Sequence, residues 1–547
     1  LVRSARQTLL SLSQATRVYN RLKWEGDRSD LPRWSVDRAL GADALRVFRT
    51  GGGSAEASLS GFYTRAGYDQ LIAAALADSV RLAADEAWVL GPDYEQQADT
   101  RDTRALRTAV LDLYARKFEA AWRGHLDGIS VRPFRSFGDG ATLVRRMGGS
   151  NSPLIALTAA IAEETKLSGT RYVPPRNGVD LGGRAGRVQD AVSRLLDQDT
   201  PNPARDPVAR VDQAFAPLRA SLEGSGAAAV PLTEALKPLD DLYVFLADLD
   251  ARSGSGDAGL TAAIEADRER TILRRVELAA DAQPEPIRRW LRELVIRASE
   301  LTLRDAGSRV DTIWQNDVLP FCRSAISARF PIDLDSNEDI NLADFAGFLR
   351  PCGLMRSFFD ENLAPFVDTS AQPWRLKTTA GARLSLSPQA LALFERADAI
   401  RRVFFGLGGS APSVRFDLQP LYLNREAAQV QLQINDQRLV YQHGPQRLQS
   451  VTWPGNGTSR RSQVQFSTVA GGRAAGVSMD GPWSWFRLLQ QASMQQVSGA
   501  DRYRVTFEVD DLRAVYELQA ASVDNPFDLR RLTRFRCLAS LQGVEQG

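Results

Sequence analysis

The ten residues DGPWSWFRLL, Asp480–Leu489, place two tryptophans and a phenylalanine within four positions, directly after a Gly-Pro turn. Pro482 suits the first position of a short helix. Trp485, Leu488 and Leu489 then recur at steps of three and four residues, as on one face of a helix. Aromatic residues at this spacing are typical of core packing. We expect this helix to cover the open end of a β-sandwich, not to form a ligand cage.

The sequence on both sides of this segment alternates between apolar and polar residues, as strands do. SVRFDLQPLYL and QVQLQINDQRLVYQ alternate in this way, with a turn at Asn435-Asp436 in the second stretch. RYRVTFEVDDLRAVYELQA predicts a hairpin that turns near Asp510-Asp511. Short strands with one polar face and regular turns predict an antiparallel sandwich over residues 403–525.

The first part of the chain has a helical period instead. Leu111, Tyr114, Phe118 and Trp122 share one helix face, and residues 284–303 repeat the pattern. At 547 residues the chain exceeds one ordinary core. We predict a multidomain α + β protein, with an N-terminal all-α region followed by a C-terminal antiparallel β-sandwich with a short capping helix. The predicted domains are a helical region 1–320, a helical connector 321–402, the sandwich 403–525 and a C-terminal tail 526–547.

The charge balance and hydropathy exclude some classes of partner. Lys and Arg number 68 against 66 Asp and Glu, so the net charge of +2 gives no general attraction to nucleic acid or anionic lipid. No apolar run reaches the roughly 18–20 residues that span a bilayer. The sequence begins at Leu1 without an initiator Met, and we expect no signal peptide in its first residues. We expect a piece of a longer protein, with any membrane anchor upstream.

Residues that could carry chemistry are few. Cys322, Cys352 and Cys537 are scattered, which argues against a disulfide framework and a structural zinc site. The two histidines, His125 and His443, fall in different predicted domains, which leaves little scope for a His-based triad or metal site. We expect no catalytic residue, no cofactor and no metal.

One acidic segment resembles a calcium-binding loop. Asp333, Asp335, Asn337 and Asp339 stand at alternate positions, as in an EF-hand loop. In the segment DLDSNEDINLAD, however, Glu338 stands where an EF-hand loop needs glycine, and Asp344 stands where it needs a bidentate glutamate. We expect a solvated loop in which an acidic residue caps the helix INLADFAGFL.

Several short segments follow one another along nearly the whole chain: GFYTRAGY (61–68), DEAWVLG (85–91), LYARKFEAAW (113–122), NSPLIALTAAIAEETKL (151–167), ADFAGFLRPCGLMRSFFDENLAPFVD (343–368), TWPG (452–455), GPWSWFRLL (481–489), and NPF with FRC (525–527 and 535–537). Together and in this order they resemble the TssM family, also called IcmF, the inner-membrane component of type VI secretion systems. Tyr63 replaces the usual Phe, and Leu538 stands where a Pro often follows the cysteine.

This resemblance implies a structural protein, not an enzyme. It implies the periplasmic region of an inner-membrane protein in a Gram-negative bacterium, with a C-terminal β domain that binds the outer-membrane lipoprotein TssJ. Inner-membrane TssL and other copies of the chain are the further implied partners. An alternative is a periplasmic carbohydrate- or peptidoglycan-binding protein, in which Trp453 in TWPGNGT would stack on sugars. A cell-wall enzyme is a third reading, but no acid, base or nucleophile constellation supports it.

The loops at the ends of a sandwich are common recognition surfaces, because rigid strands hold them in place. We expect helices 1–320 to pack against neighbouring copies and the loops of residues 403–525 to contact the lipoprotein. The candidate partner-binding residues are those of two turns and one loop, which we expect to be exposed: Asn435, Asp436, His443, Trp453, Pro454, Gly455, Asn456 and Gly457.

Overall fold

The structure is a computed structural model that describes residues 12–51, 58–77, 103–168, 206–224, 230–252, 260, 266–379, 381–406, 408–469, 475–497, 499, 501–521 and 525–542. The chain divides into two compact units, residues 1–254 with 266–301 and residues 255–265 with 302–547. The DEAWVLG segment, 85–91, lies outside the described residues.

The first unit is helical, as predicted. The elements of this unit are α1 Gln14–Arg28, α2 Val36–Leu40, β1 Phe48–Thr50, α3 Arg65–Gly67, α4 Ala74–Ala77, α5 Thr103–Asp127, β2 Ile129–Val131, α6 Phe137–Gly148, α7 Pro153–Glu164, α8 Pro207–Leu222, α9 Pro231–Leu236, α10 Pro238–Arg252, α11 Ala266–Asp281 and α12 Ile287–Ile313. A π-helical turn, Tyr68–Ala73, joins α3 to α4, and the boundary between the units falls within α12.

The GFYTRAGY segment packs against the aromatic face of α5. The Tyr114 hydroxyl donates to the Phe62 carbonyl at 2.9 Å, and Trp122 Nε1 donates to the Tyr63 carbonyl at 2.8 Å. A Cβ on Gly67 would overlap the carbonyl oxygen of Gly61. The helix period therefore produces a buried aromatic stripe, and a glycine allows the segment to turn tightly over it.

The second unit combines helices with two sheets. Its elements are α13 Leu319–Phe321, flanked by π turns at Trp314–Val318 and Cys322–Ile326, then α14 Leu342–Leu349, α15 Leu354–Asn362, β3 Val367–Asp368, β4 Arg375–Leu376, α16 Pro388–Phe405, β5 Val414–Leu423, β6 Ala427–Ile434, β7 Gln437–Tyr441, β8 Gln449–Trp453, β9 Arg461–Thr468, β10 Ala475–Asp480, α17 Ser484–Gln491, β11 Ser493–Gln496, β12 Arg502–Val509, β13 Leu512–Ala520 and α18 Arg530–Thr533.

The C-terminal strands form an antiparallel sandwich, as the alternation predicts. One sheet has the strand order β10-β9-β6-β7 and the other β11-β12-β13-β5-β8. The inward positions of these strands are buried, for example Phe416 and Leu418 on β5 and Leu432 on β6. The period-2 pattern therefore fixes which face of each sheet meets the core.

Helix α17, the aromatic segment of the sequence, is buried in the core as predicted. On one side Trp485 stacks on Phe416 of β5, with ring centroids 5.5 Å apart. On the other side Trp483 lies 5.1 Å from Phe345 of α14 and 5.8 Å from Phe404 of α16. The helix therefore joins the sandwich to the helices of the same unit, and residues 403–525 share one core with them.

The C-terminal segment is tied back to these helices. Trp314 Nε1 donates to the Leu538 carbonyl at 2.9 Å, and the Leu541 amide donates to Asp311 at 2.5 Å. Phe535 is fully buried against Phe348. The segment therefore belongs to the core of the second unit.

A disulfide joins Cys322 to Cys537, with Cα atoms 6.0 Å apart, an ordinary separation for such a bond. The scattered spacing of the cysteines argued against a disulfide framework and did not predict this single bond. The two cysteines are separated by 215 positions, and no local sequence pattern indicates that the C-terminal segment packs beside Cys322. Cys352 is free and exposed.

Candidate partner-binding surface

The turn at Asn435-Asp436 connects β6 to β7, and its two residues differ in exposure. Asn435 has a positive φ of 51° and is fully buried. Its Nδ2 donates to the Pro454 carbonyl at 2.5 Å, and its Oδ1 accepts from Ser484 Oγ at 3.3 Å. The expectation that Asn435 is exposed is wrong, because its amide satisfies polar groups inside the core.

Trp453, expected in an exposed turn, is fully buried. It is the last residue of β8, pairs with Val414 and faces inward in that register. Its ring lies 4.7 Å from Trp483 and 4.9 Å from Phe486. The expectation of exposure is wrong, because the strand alternation extends one residue further than the turn signal Pro-Gly suggests.

The loop that follows Trp453 packs against the Asn435-Asp436 turn. Asp436 Oδ1 accepts from the Ser459 amide at 3.2 Å, and a Cβ on Gly457 would overlap this carboxylate. Gly455 has a positive φ of 79°, which favours glycine. Asp436 and Asn456 are exposed, whereas Pro454, Gly455 and Gly457 are half-buried. The structure therefore brings seven of the eight predicted residues to one end of the sandwich.

Gln437, which the sequence did not single out, holds this end together. Its Nε2 donates to the Thr452 carbonyl at 2.7 Å, and its Oε1 accepts from the Thr452 amide at 3.0 Å. These bonds join β7 of one sheet to β8 of the other. Beside the turn, Arg461 donates to Asp480 at 2.7 Å, and this hydrogen bond lowers the pKa of the Asp480 carboxyl.

His443 lies at the other end of the hairpin. It is exposed and its Nε2 contacts the Ala427 carbonyl at 2.8 Å. Ala427 begins β6, whereas Asn435 follows its last residue, and a strand of this length spans roughly 25 Å. His443 is therefore not part of the same surface as Asp436 and Asn456.

The calcium-like loop is held by α17. Asp339 pairs with Arg487 at 2.6 Å and accepts from the Trp483 amide at 3.1 Å. The helix that follows is capped by Asn341, whose side chain accepts from the Ala343 amide, so the expected acidic cap is wrong. Within the described ranges, no group of three His, Cys, Asp or Glu residues could hold a metal ion.

Three family models match the chain in order. An IcmF-related model, described as intracellular multiplication and human macrophage-killing, matches residues 1–166. The type VI secretion protein IcmF helical domain matches residues 305–410, and the type VI secretion protein IcmF C2-like domain matches residues 416–522. The chain belongs to the IcmF-related family. The C2-like domain match covers all but the first two residues of the sandwich strands, and it includes α17.

A curated relative within this family is the type VI secretion system component TssM1 of Pseudomonas aeruginosa. The two sequences are 32% identical over 548 residues, which is 98% of this chain and 49% of the relative. The chain therefore spans about half the length of the relative it matches.

Two solved structures share the fold. A chain of a type VI membrane complex has a TM-score of 0.65 at 17% identity, covering 97% of this chain and 99% of that one. A chain of a type VI secretion system membrane core complex has a TM-score of 0.54 at 18% identity, covering 98% and 100%. Of the helices in the described part of this chain, none is both long and apolar enough to cross a bilayer.

Proposed function

We propose that this chain is a structural component of a type VI secretion membrane complex, and that it forms the periplasmic region of an inner-membrane protein. The observation that carries this proposal is the ordered match of three IcmF models together with the relationship to TssM1. In this role the chain has no catalytic step to perform. Its work is to hold other components through its folded surfaces.

The Cys322–Cys537 disulfide supports the periplasmic part of the proposal. Disulfides persist in oxidising compartments and are rare in the cytosol. Cys322 is fully buried, and the bond fixes the C-terminal segment to the π turn after α13. A chain whose fold contains such a bond is well suited to the periplasm.

We further propose that residues 403–525 contact the outer-membrane lipoprotein TssJ, and that the first unit packs against other copies of the chain. TssL is the proposed inner-membrane partner. The exposed groups at the end of the sandwich, Asp436 and Asn456, are the proposed lipoprotein contacts. Gln437 and Asn435 support this end by rigid hydrogen bonds, and a preorganised surface loses less entropy on binding.

The carbohydrate-binding alternative depended on Trp453. Because this side chain is fully buried against Trp483 and Phe486, it has no face to stack on a sugar. We therefore retain the structural proposal.

The test is a titration of the full chain with a soluble form of the lipoprotein, in which isothermal titration calorimetry measures the affinity. The test variant, Asn456→Arg, adds one positive charge at the end of the sandwich that carries Asp436. The control, His443→Arg, adds one positive charge at the opposite end. We expect Asn456→Arg to weaken binding at least about tenfold, or about 1.4 kcal/mol, with His443→Arg unchanged. Both variants should keep the melting temperature of the parent.

Three other outcomes of this titration would change the proposal. Loss of binding only in His443→Arg would move the contact to the opposite end of the sandwich. Retention of binding in both variants would reject the loops as the contact. A full chain that does not bind the lipoprotein would reject the proposed link itself.

A further inference from the structure

A cationic groove lies on the second unit between α16 and the C-terminal helix α18. Its volume is about 360 Å³, and its lining residues are Arg396, Ala399, Asp528, Arg530, Arg531 and Arg534. Four arginine side chains and one aspartate side chain therefore line the groove. Asp528 pairs with Arg530 at 2.7 Å. The walls of the groove keep an excess of positive charge, although the whole chain is close to neutral.

Two of these arginines present this charge to solvent. Arg396 donates through Nη1 to the backbone carbonyl of Arg534 at 3.0 Å, and both residues line the groove. Both residues are exposed. In the part of the chain that the structure describes, neither guanidinium has a carboxylate within ion-pair distance. A guanidinium binds a carboxylate through two parallel hydrogen bonds, so this pair favours an anionic ligand.

An apolar groove of about 220 Å³ continues from the cationic one. Arg530 lines both grooves, so the two form one surface, which we call the double groove. Most of the apolar part is formed by hydrophobic side chains from α17, from β11, from the residue between them and from the C-terminal segment: Phe486, Leu489, Ala492, Met494, Phe527 and Leu529.

Strand β11 gives the double groove a third feature. It is the first strand of its five-stranded sheet and is paired only with β12 among the described strands. An edge strand offers backbone amides and carbonyls to an added extended segment. Met494 on β11 lines the apolar groove. A peptide that paired with β11 would therefore place side chains in the apolar groove.

We propose that the double groove docks an extended segment of a partner protein in which apolar residues adjoin acidic ones. The apolar residues fill the groove beside Met494, and the acidic residues reach Arg396 and Arg534. The concave shape and the edge strand favour a polypeptide over a flat lipid surface. Inorganic phosphate would leave the apolar groove empty. The double groove shares no lining residue with the Asp436 and Asn456 surface, and it extends the proposed function to a second partner contact.

The test uses the full chain and a short synthetic peptide with an apolar half followed by an acidic half. Binding is measured by fluorescence anisotropy at about 0.15 M salt, where weak long-range attraction is screened. The test variant is Arg396→Ala with Arg534→Ala. The matched control is Arg415→Ala with Arg504→Ala, which removes the same charge from exposed positions on β5 and β12. Met494→Gln changes the apolar groove alone.

We expect the peptide to bind the parent and the control equally, and to bind the test variant at least about tenfold more weakly. Met494→Gln should weaken binding as well, whereas a peptide with glutamine in place of its acidic residues should not bind. An equal loss in the test and control variants would overturn the proposal, because the attraction would then be general. Failure of the peptide to bind, or arginine-dependent binding of phosphate or phosphatidylglycerol vesicles without the peptide, would overturn it too.

Discussion

Arg487 on α17 forms an ion pair with Asp339, 148 residues earlier in the chain, at a distance of 2.6 Å. The side chains are 17% and 10% exposed. Asp339 also accepts the amide of Trp483, whose indole Nε1 donates to the Ile340 carbonyl at 2.8 Å. The most calcium-like segment of the sequence is therefore an anchor for the aromatic helix.

Replacing Asp339 with Ala should destabilise the second unit by about 3 kcal/mol, because it leaves a largely buried guanidinium without its carboxylate and the Trp483 amide without its acceptor. Urea unfolding followed by tryptophan fluorescence measures the change. Asp335→Ala, an exposed position in the same loop, is the control and should stay within about 0.5 kcal/mol of the parent. Equal effects of the two substitutions would refute the role of the ion pair.

Replacing Trp485 with Ala should cost about 3–5 kcal/mol, the range for truncation of a large buried aromatic. Its ring stacks on Phe416 and lies 6.5 Å from Phe507, so the cavity would open inside the sandwich. Thermal unfolding is the measurement, with Leu448→Ala as a control at a position that is 55% exposed. An unchanged melting temperature combined with lost partner binding would make α17 an interface helix.

Removing the disulfide with Cys322→Ser and Cys537→Ser should lower the stability of the second unit by about 2–5 kcal/mol, since the closed loop is long. Free thiols counted in the unreduced, unfolded parent should number one, from Cys352. Cys352→Ser is the matched control and should leave the urea midpoint in place. Three reactive thiols in protein isolated from the periplasm would contradict the disulfide.

Lowering the pH should weaken the first unit through His125. Burial lowers the pKa of this imidazole from its ordinary 6.5, and its Nε2 is buried without a hydrogen-bond partner in the described structure. The unfolded chain therefore binds the proton more readily, so stability is lost as the pH falls through 6.5. His125→Gln should reduce the stability difference between about pH 7.5 and about pH 5.5. An unchanged difference would show that other groups dominate.

Limited proteolysis should distinguish the predicted domain boundaries from the units of the structure. Trp483 contacts both Trp453 of the sandwich and Phe345 of α14, so residues from about 302 to 542 share one core. We expect a protected fragment of about this extent under non-reducing conditions. A stable fragment that begins near residue 403 would instead support the sandwich as an independent domain.

The sequence by itself determined the secondary structure and the family. Period-2 alternation located β5, β6 and the β12–β13 hairpin, and the helical period located α5 and α12, because these patterns follow from which side of an element is buried. The aromatic helix α17 was also evident, as was its burial. Helical and strand periodicity are local properties, because each depends only on residues that are near one another in the chain.

The tertiary structure alone decided which distant residues meet. Trp453 and Asn435 looked exposed because they adjoin turn signals, yet α17 covers them and makes them part of the core. The Cys322–Cys537 bond and the Arg487–Asp339 pair join segments that are far apart in the chain. The periodicity of a segment does not indicate which distant segment it will contact. The double groove has the same origin, because Arg396 and Arg534 become neighbours only when the C-terminal segment packs on α16.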